Sequence, residues 1–202
     1  MDIVWNTKGL EDKMHTPITL LPRWYPQSLQ SRMSIAKSLQ NWLFDPSSLT
    51  AKLKQKCPEL TVKVLSEKLE YPLPDERIRL NLNPKKKVWV RTVTLNCGEI
   101  PLVYARTIIP NFNTGNPWFS LKTLGHTPLG HVLFARDFRN HYSRSNFECQ
   151  NQRNNWPHLK KEAYFDQKEG KRLASRRCEF SKKGNSLLLT EVFLPDSLVL
   201  FD

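Results

Sequence analysis

Val88-Trp89-Val90-Arg91-Thr92-Val93-Thr94-Leu95-Asn96, then Cys97-Gly98-Glu99, then Ile100-Pro101-Leu102-Val103-Tyr104-Ala105-Arg106-Thr107-Ile108-Ile109, decides the fold. Both long runs are rich in β-branched and aromatic residues, and the segment between them is short and holds a glycine. That pattern predicts a hairpin of two strands, over 87–96 and 100–109, with its turn around Asn96-Cys97-Gly98-Glu99. Side chains alternate across a strand, so Trp89, Arg91, Val93 and Leu95 share one face, and Leu102, Tyr104, Arg106 and Ile108 share another. A turn centred near Gly98 sets Arg91 roughly opposite Arg106. Two like charges so placed repel unless an anion sits between them.

Outward from the hairpin, residues 60–69 alternate as a strand, and residues 173–181 and 186–194 form a last strand pair around Gly184-Asn185. Upstream, Ile35, Leu39, Trp42 and Leu43 fall on one helix face. Asp45-Pro46-Ser47-Ser48 breaks that helix, and Ser47 or Ser48 caps a second through Leu49 and Leu53. Residues 70–86 hold Pro72, Pro74 and Pro84 and read as a loop. A helix is expected from Trp118 to Leu124 and another from Thr127. Residues 1–28 read as an extended N-terminal arm, and 137–172 as a polar insertion with a short strand near Ala163–Phe165. Strands in pairs with helices in two blocks predict an α+β fold on a single antiparallel sheet, one domain over 1–202.

Hydrophobic residues make up 39% and charged residues 25%, the balance of a globular domain. No window reaches membrane-span length, and Asp2, Glu11 and Asp12 interrupt any signal-like start. The net charge of +12 admits nucleic acid, an anionic surface or a small anion as partner. The basic residues are spread, with small knots at Lys85–Lys87, Arg176–Arg177 and Lys182–Lys183. Cys57, Cys97, Cys149 and Cys178 form no C-x-x-C and read as free thiols in a reducing cytoplasm.

Three segments carry chemistry. Leu124-Gly125-His126-Thr127-Pro128-Leu129-Gly130 reads as a helix start, with Thr127 as N-cap and Pro128 at N1. The N–H groups from Leu129 onward then face outward and attract an anion, unless the segment is a plain capped helix. Arg91 lies among apolar neighbours, where its planar fork suits a carboxylate, unless the strand is an edge and Arg91 is in water. In Leu187-Leu188-Leu189-Thr190-Glu191-Val192-Phe193-Leu194-Pro195, Glu191 sits in a strand apolar on both faces. A buried carboxylate either pairs with a cation, as in a structural salt bridge with Arg106, or takes up a proton. The five histidines show no ligand spacing, so no metal is expected. No phosphate loop, dinucleotide fingerprint or nucleophile elbow is present.

Taken in order, W-V-R ending at Arg91, A-R-T-I-I-P from Ala105 to Pro110, L-G-x-T-P-L-G and L-L-L-T-E-x-F-L-P resemble the bacterial chorismate pyruvate-lyase family. Order and spacing fit from about 41 to 136 and from 174 to 195. The chain departs in its longer N-terminal arm and in the stretch 137–172. The resemblance implies about six antiparallel strands with helical flaps over a buried ligand. It implies conversion of chorismate to 4-hydroxybenzoate and pyruvate, the opening step of ubiquinone biosynthesis, with no cofactor, by a cytoplasmic monomer. Carried over by motif, Arg91 and the N–H of Leu129 hold the ring carboxylate and Glu191 contacts the 4-hydroxyl. Leu49 is a further contact and Arg106 a second anion contact.

Two other readings stand beside this one. The effector-sensing domains of some bacterial transcription regulators resemble the lyase in fold and bind small acids without turnover. Here residues 1–40 are too short and proline-interrupted for the DNA-binding region such regulators carry. A nucleic-acid binder would interleave basic residues with exposed aromatics, whereas Trp42, Trp89 and Phe193 fall in apolar patterns.

Overall fold

The structure is a computed structural model that describes residues 23–134, 142–152, 159 and 172–200. One antiparallel sheet organises them. Its strands are β1 (Tyr25–Pro26), β2 (Leu60–Glu70), β3 (Val88–Cys97), β4 (Ile100–Ile109), β5 (Ser143–Arg144), β6 (Glu148–Gln152), β7 (Leu173–Lys182) and β8 (Asn185–Phe193). Their order across the sheet is β1-β6-β7-β8-β4-β3-β2, with β5 beside β7. Among the described residues, eight strands stand where about six were expected. The added ones are short, and β5 and β6 lie in the stretch expected to be an irregular insertion. There pairing to β7 supplies the hydrogen bonds that local propensity does not demand. The N-terminal arm as expected falls outside the described residues up to 22, as does the strand expected near Ala163–Phe165.

Among the described residues, four α-helices accompany the sheet: α1 (Lys37–Leu43), α2 (Leu49–Lys56), α3 (Pro74–Leu80) and α4 (Leu129–Leu133). The Ser48 hydroxyl caps α2 by accepting from the Ala51 N–H at 3.3 Å. The loop expected over 70–86 contains α3, because Pro74 opens a helix rather than breaking one. Asp75 and Glu76 fill its first turn, where carboxylates suit the helix dipole. Trp118–Leu124 is a 3-10 turn over Phe119–Thr123 rather than an α-helix. Helix α4 starts one residue later than expected, with Pro128 as the N-cap.

One sheet face packs against α1 and α2. Leu39, Trp42, Leu43, Leu49 and Leu53 join Val62, Val93, Leu95 and Phe193 in one cluster. Beside it, Leu129 and Leu133 of α4 pack with Trp89, Ile109, Phe180 and Leu187. The opposite face carries two smaller clusters, around Tyr104 and Val192 and around Val90 and Ile108. Among the described residues, no helix is long and apolar enough to cross a membrane.

The four cysteines are not all free thiols. Cys57 and Cys97 form a disulfide with their Cα atoms 6.0 Å apart, whereas Cys149 and Cys178 are free and buried. The pairing joins residues 40 apart in sequence. Only the antiparallel register, which sets Leu60 of β2 against Cys97 of β3, brings them together.

Candidate functional site

The hairpin register runs Arg91 against Thr107 and Thr92 against Arg106. The expected Arg91–Arg106 pairing is therefore off by one residue, and a one-residue slip sends a side chain to the other face. Arg106 points away from Arg91, into the layer beneath α3. There its Nε donates to Glu76 Oε1 at 2.7 Å and its Nη2 to Glu76 Oε2 at 3.2 Å. Nη1 donates to Glu70 Oε2 at 3.3 Å. Burial works against the Arg106 charge, but Glu76 outweighs it and raises the guanidinium above its ordinary range. Arg106 is thus a structural cation and not the second anion contact expected.

The other face holds a cavity. Across its floor run two rows of cross-strand neighbours. The first is Arg91, Thr107 and Leu189; the second is Val93, Ala105, Glu191 and Arg176. Leu49 and Thr50 of α2 line it with Pro128, Leu129 and Gly130 at the start of α4. Arg91, Glu191, Leu129 and Leu49 are thus brought to one cavity from four separate elements. The two helix starts pack tightly: a Cβ on Gly130 would meet Ser48 Oγ at 2.9 Å and Thr50 Oγ1 at 3.2 Å. Glycine is what permits that approach.

Arg91 is 3% exposed. Its Nε donates to Glu67 Oε1 at 2.8 Å, and its Nη2 to the Gly125 carbonyl at 2.6 Å. A longer contact of 3.4 Å reaches the Thr127 carbonyl. Gly125 presents that carbonyl from a left-handed backbone, φ +52°. Burial lowers the Arg91 guanidinium and Glu67 works to raise it back. These contacts aim the fork under the first turn of α4, where the Leu129 N–H has no intrahelical acceptor. The arrangement can hold a carboxylate between a cation and a backbone donor.

Glu191 is 8% exposed and pairs with Arg176, Nε to Oε2 at 2.6 Å. Its cation is therefore Arg176 and not Arg106. Arg176 was hidden in the sequence by its neighbour: Arg176–Arg177 reads as a surface knot, yet both are buried, on opposite faces of β7. The signal that could have found it is two arginines in a strand whose other residues alternate as core. Arg177 meets Glu148 at 2.6 Å and Asp75 at 3.4 Å on the α3 side.

The roof is tied down by Asp45, between α1 and α2. Burial works to raise its carboxyl, but hydrogen bonds from Lys52 and Ser47 prevail and hold it at about 2. Lys52 also lies over the Trp42 ring, 4.3 Å from its centre. For metals, the ligand atoms of Cys57, Glu59 and Cys97 lie within 4.8 Å of one another among the described residues. Two of these are joined as the disulfide, and none lines the cavity. His126 turns its Nδ1 to the Val62 carbonyl at 3.0 Å.

Residues 23–201 match the profile of the family described as chorismate lyase. A protein of Hydrogenovibrio crunogenus named probable chorismate pyruvate-lyase is 43% identical, over 92% of this chain and 97% of its own. One of Aromatoleum aromaticum with the same name is 36% identical, over 84% and 91%. Among solved structures, the C-terminal domain of the histidine utilization repressor of Pseudomonas syringae pv. tomato aligns with TM-score 0.49 and 11% identity, over 69% of this chain and 94% of its own.

Proposed function

The chain belongs to the chorismate lyase family, and from that premise we propose that its cavity takes chorismate and releases 4-hydroxybenzoate and pyruvate. The observation that carries the reading is the placement of Arg91 and Glu191, both buried, on one cavity floor beneath the first turn of α4. Chorismate carries two carboxylates and one hydroxyl. In this reading Arg91 and the Leu129 N–H take the ring carboxylate, and Glu191 accepts a hydrogen bond from the 4-hydroxyl. Leu49 packs on the ring from α2. The C3–O bond to the enolpyruvyl group breaks and the C4 proton is lost. The ring becomes aromatic, and the released enolpyruvate takes up a proton to become pyruvate. Aromatisation drives the reaction, so orientation and exclusion of water supply the catalysis, and no cofactor is called for.

The tight packing of α2 on α4 supports a role for these helices as flaps that part to admit the substrate. The product makes the enzyme a source of the aromatic ring for ubiquinone, in the cytoplasm and as a monomer. Incubating the purified protein with chorismate and a chelator tests the reading. Stoichiometric 4-hydroxybenzoate and pyruvate are expected, and their absence at high enzyme concentration would refute it.

A further inference from the structure

We infer that Arg176 is a positioning residue that couples the segment between α1 and α2 to Glu191, so that Glu191 is held correctly only when that segment covers the cavity. The inference rests on the proposed role of Glu191. Arg176 lies directly across from Glu191 in the β7–β8 register and is 3% exposed. Its Nε donates to Glu191 Oε2 at 2.6 Å. Its Nη1 donates to the Trp42 carbonyl at 2.9 Å and to the Asp45 carbonyl at 3.0 Å. The guanidinium carbon Cζ lies over the Phe147 ring, 4.3 Å from its centre. Trp42 is in the last turn of α1, Asp45 is in the link to α2, and Leu49 and Thr50 beyond it line the cavity. One side chain therefore runs from floor to roof.

The chemistry of the guanidinium explains why an arginine stands here. Its donors point in fixed, separate directions, so Nε can hold a carboxylate while Nη1 holds two backbone carbonyls. A lysine has one nitrogen and cannot span both ends. With Oε2 of Glu191 taken by Arg176, Oε1 has no hydrogen bond among the described residues, and it is the oxygen left for a ligand hydroxyl. When the link moves away, Arg176 loses two acceptors and its hold on Glu191 becomes looser. Closure and the orientation of Glu191 then occur together.

A double-mutant cycle tests this. Arg176→Lys and Arg176→Met are each made alone and with Glu191→Gln. Turnover of chorismate, affinity for 4-hydroxybenzoate and deuterium uptake over residues 42–50 are measured. Arg176→Lys is expected to lower kcat/KM about tenfold and Arg176→Met about a hundredfold, the range of a lost charge-assisted hydrogen bond. The loss should fall on kcat and not only on KM. In the Glu191→Gln background each change should add little, because its route to the substrate is already cut. Glu191→Gln alone should raise deuterium uptake over residues 42–50, which tests the coupling even where an Arg176 variant does not fold. Losses that multiply in full, wild-type kinetics for Arg176→Lys, or unchanged uptake in Glu191→Gln would each overturn the inference while leaving the lyase reading intact. Wild-type turnover by Glu191→Gln would overturn the proposed role of Glu191 and this inference with it.

Discussion

Arg91 and Arg106 show how little separates a ligand contact from a structural cation. Both lie in apolar strands of one hairpin, and both are nearly inaccessible. Arg91 points toward the helix starts and is steadied by Glu67 and two carbonyls. Arg106 points the other way and is used up by Glu76 and Glu70. Arg91→Lys keeps the charge but loses the planar fork, so kcat/KM should fall about ten- to a hundredfold, a loss of roughly 1.5–3 kcal/mol of binding. Unchanged steady-state kinetics and product affinity in that variant would remove Arg91 from the site. The free thiols give a second test. Burial pushes Cys149 up to about 12 and Cys178 up to about 11, from an ordinary 9.0. At pH 9 the unfolded chain's thiols are half ionised while the folded ones stay neutral, and the thiolate is the form that reacts. The native protein at that pH should therefore resist iodoacetamide at both positions, and mass spectrometry should find both alkylated only after denaturation.

Among the elements, α3 and the short strands β5 and β6 were the least legible in the sequence. Three prolines across 70–86 suggest a loop, yet Pro74 followed by Asp75-Glu76 is also a helix start. Which reading holds depends on Glu76, whose carboxylate accepts from the Leu73 N–H at 2.8 Å and also pairs with Arg106. The helix is thus pinned to the sheet by a buried ion pair. Removing one member of such a pair strands the other charge, and Arg106→Met should destabilise the fold by about 3–5 kcal/mol. Because Arg106 lies on the far face, the folded fraction should keep its turnover. Chemical denaturation and activity measured on one preparation check both halves, and a selective loss of turnover at full stability would return Arg106 to the site. Strands β3, β4 and β8 were legible because alternation and β-branched content agree there. β7 was legible as a strand too, and its adjacent arginines hid only that both are buried, one on each face.

At the scale of the whole molecule, the Cys57–Cys97 disulfide staples the C-terminal end of α2 to the end of β3. Closing a loop of 40 residues removes unfolded-state entropy worth about 4 kcal/mol in the chain-entropy view. A dithiol reductant, or Cys97→Ser, should lower the melting temperature clearly. A melting temperature unmoved by the reductant, with both thiols then titratable, would show that the staple contributes nothing. Glu191 belongs to this scale too, since its partner was decided by sheet order. Strands β7 and β8 pair through a short turn, which sets Arg176 against Glu191, whereas Arg106 meets Thr190. By itself the sequence determined the α+β class, the central hairpin, the last strand pair, a helix start within one residue of its place before Leu129 and the buried character of Arg91 and Glu191. Each follows from periodicity or capping, which act over a few residues. Tertiary structure alone decided which arginine faces the cavity, which cation Glu191 takes, that Cys57 finds Cys97, and that short polar strands join the sheet. Those outcomes turn on strand register and on contacts between distant segments. A shift of one residue reverses a face without changing any local pattern.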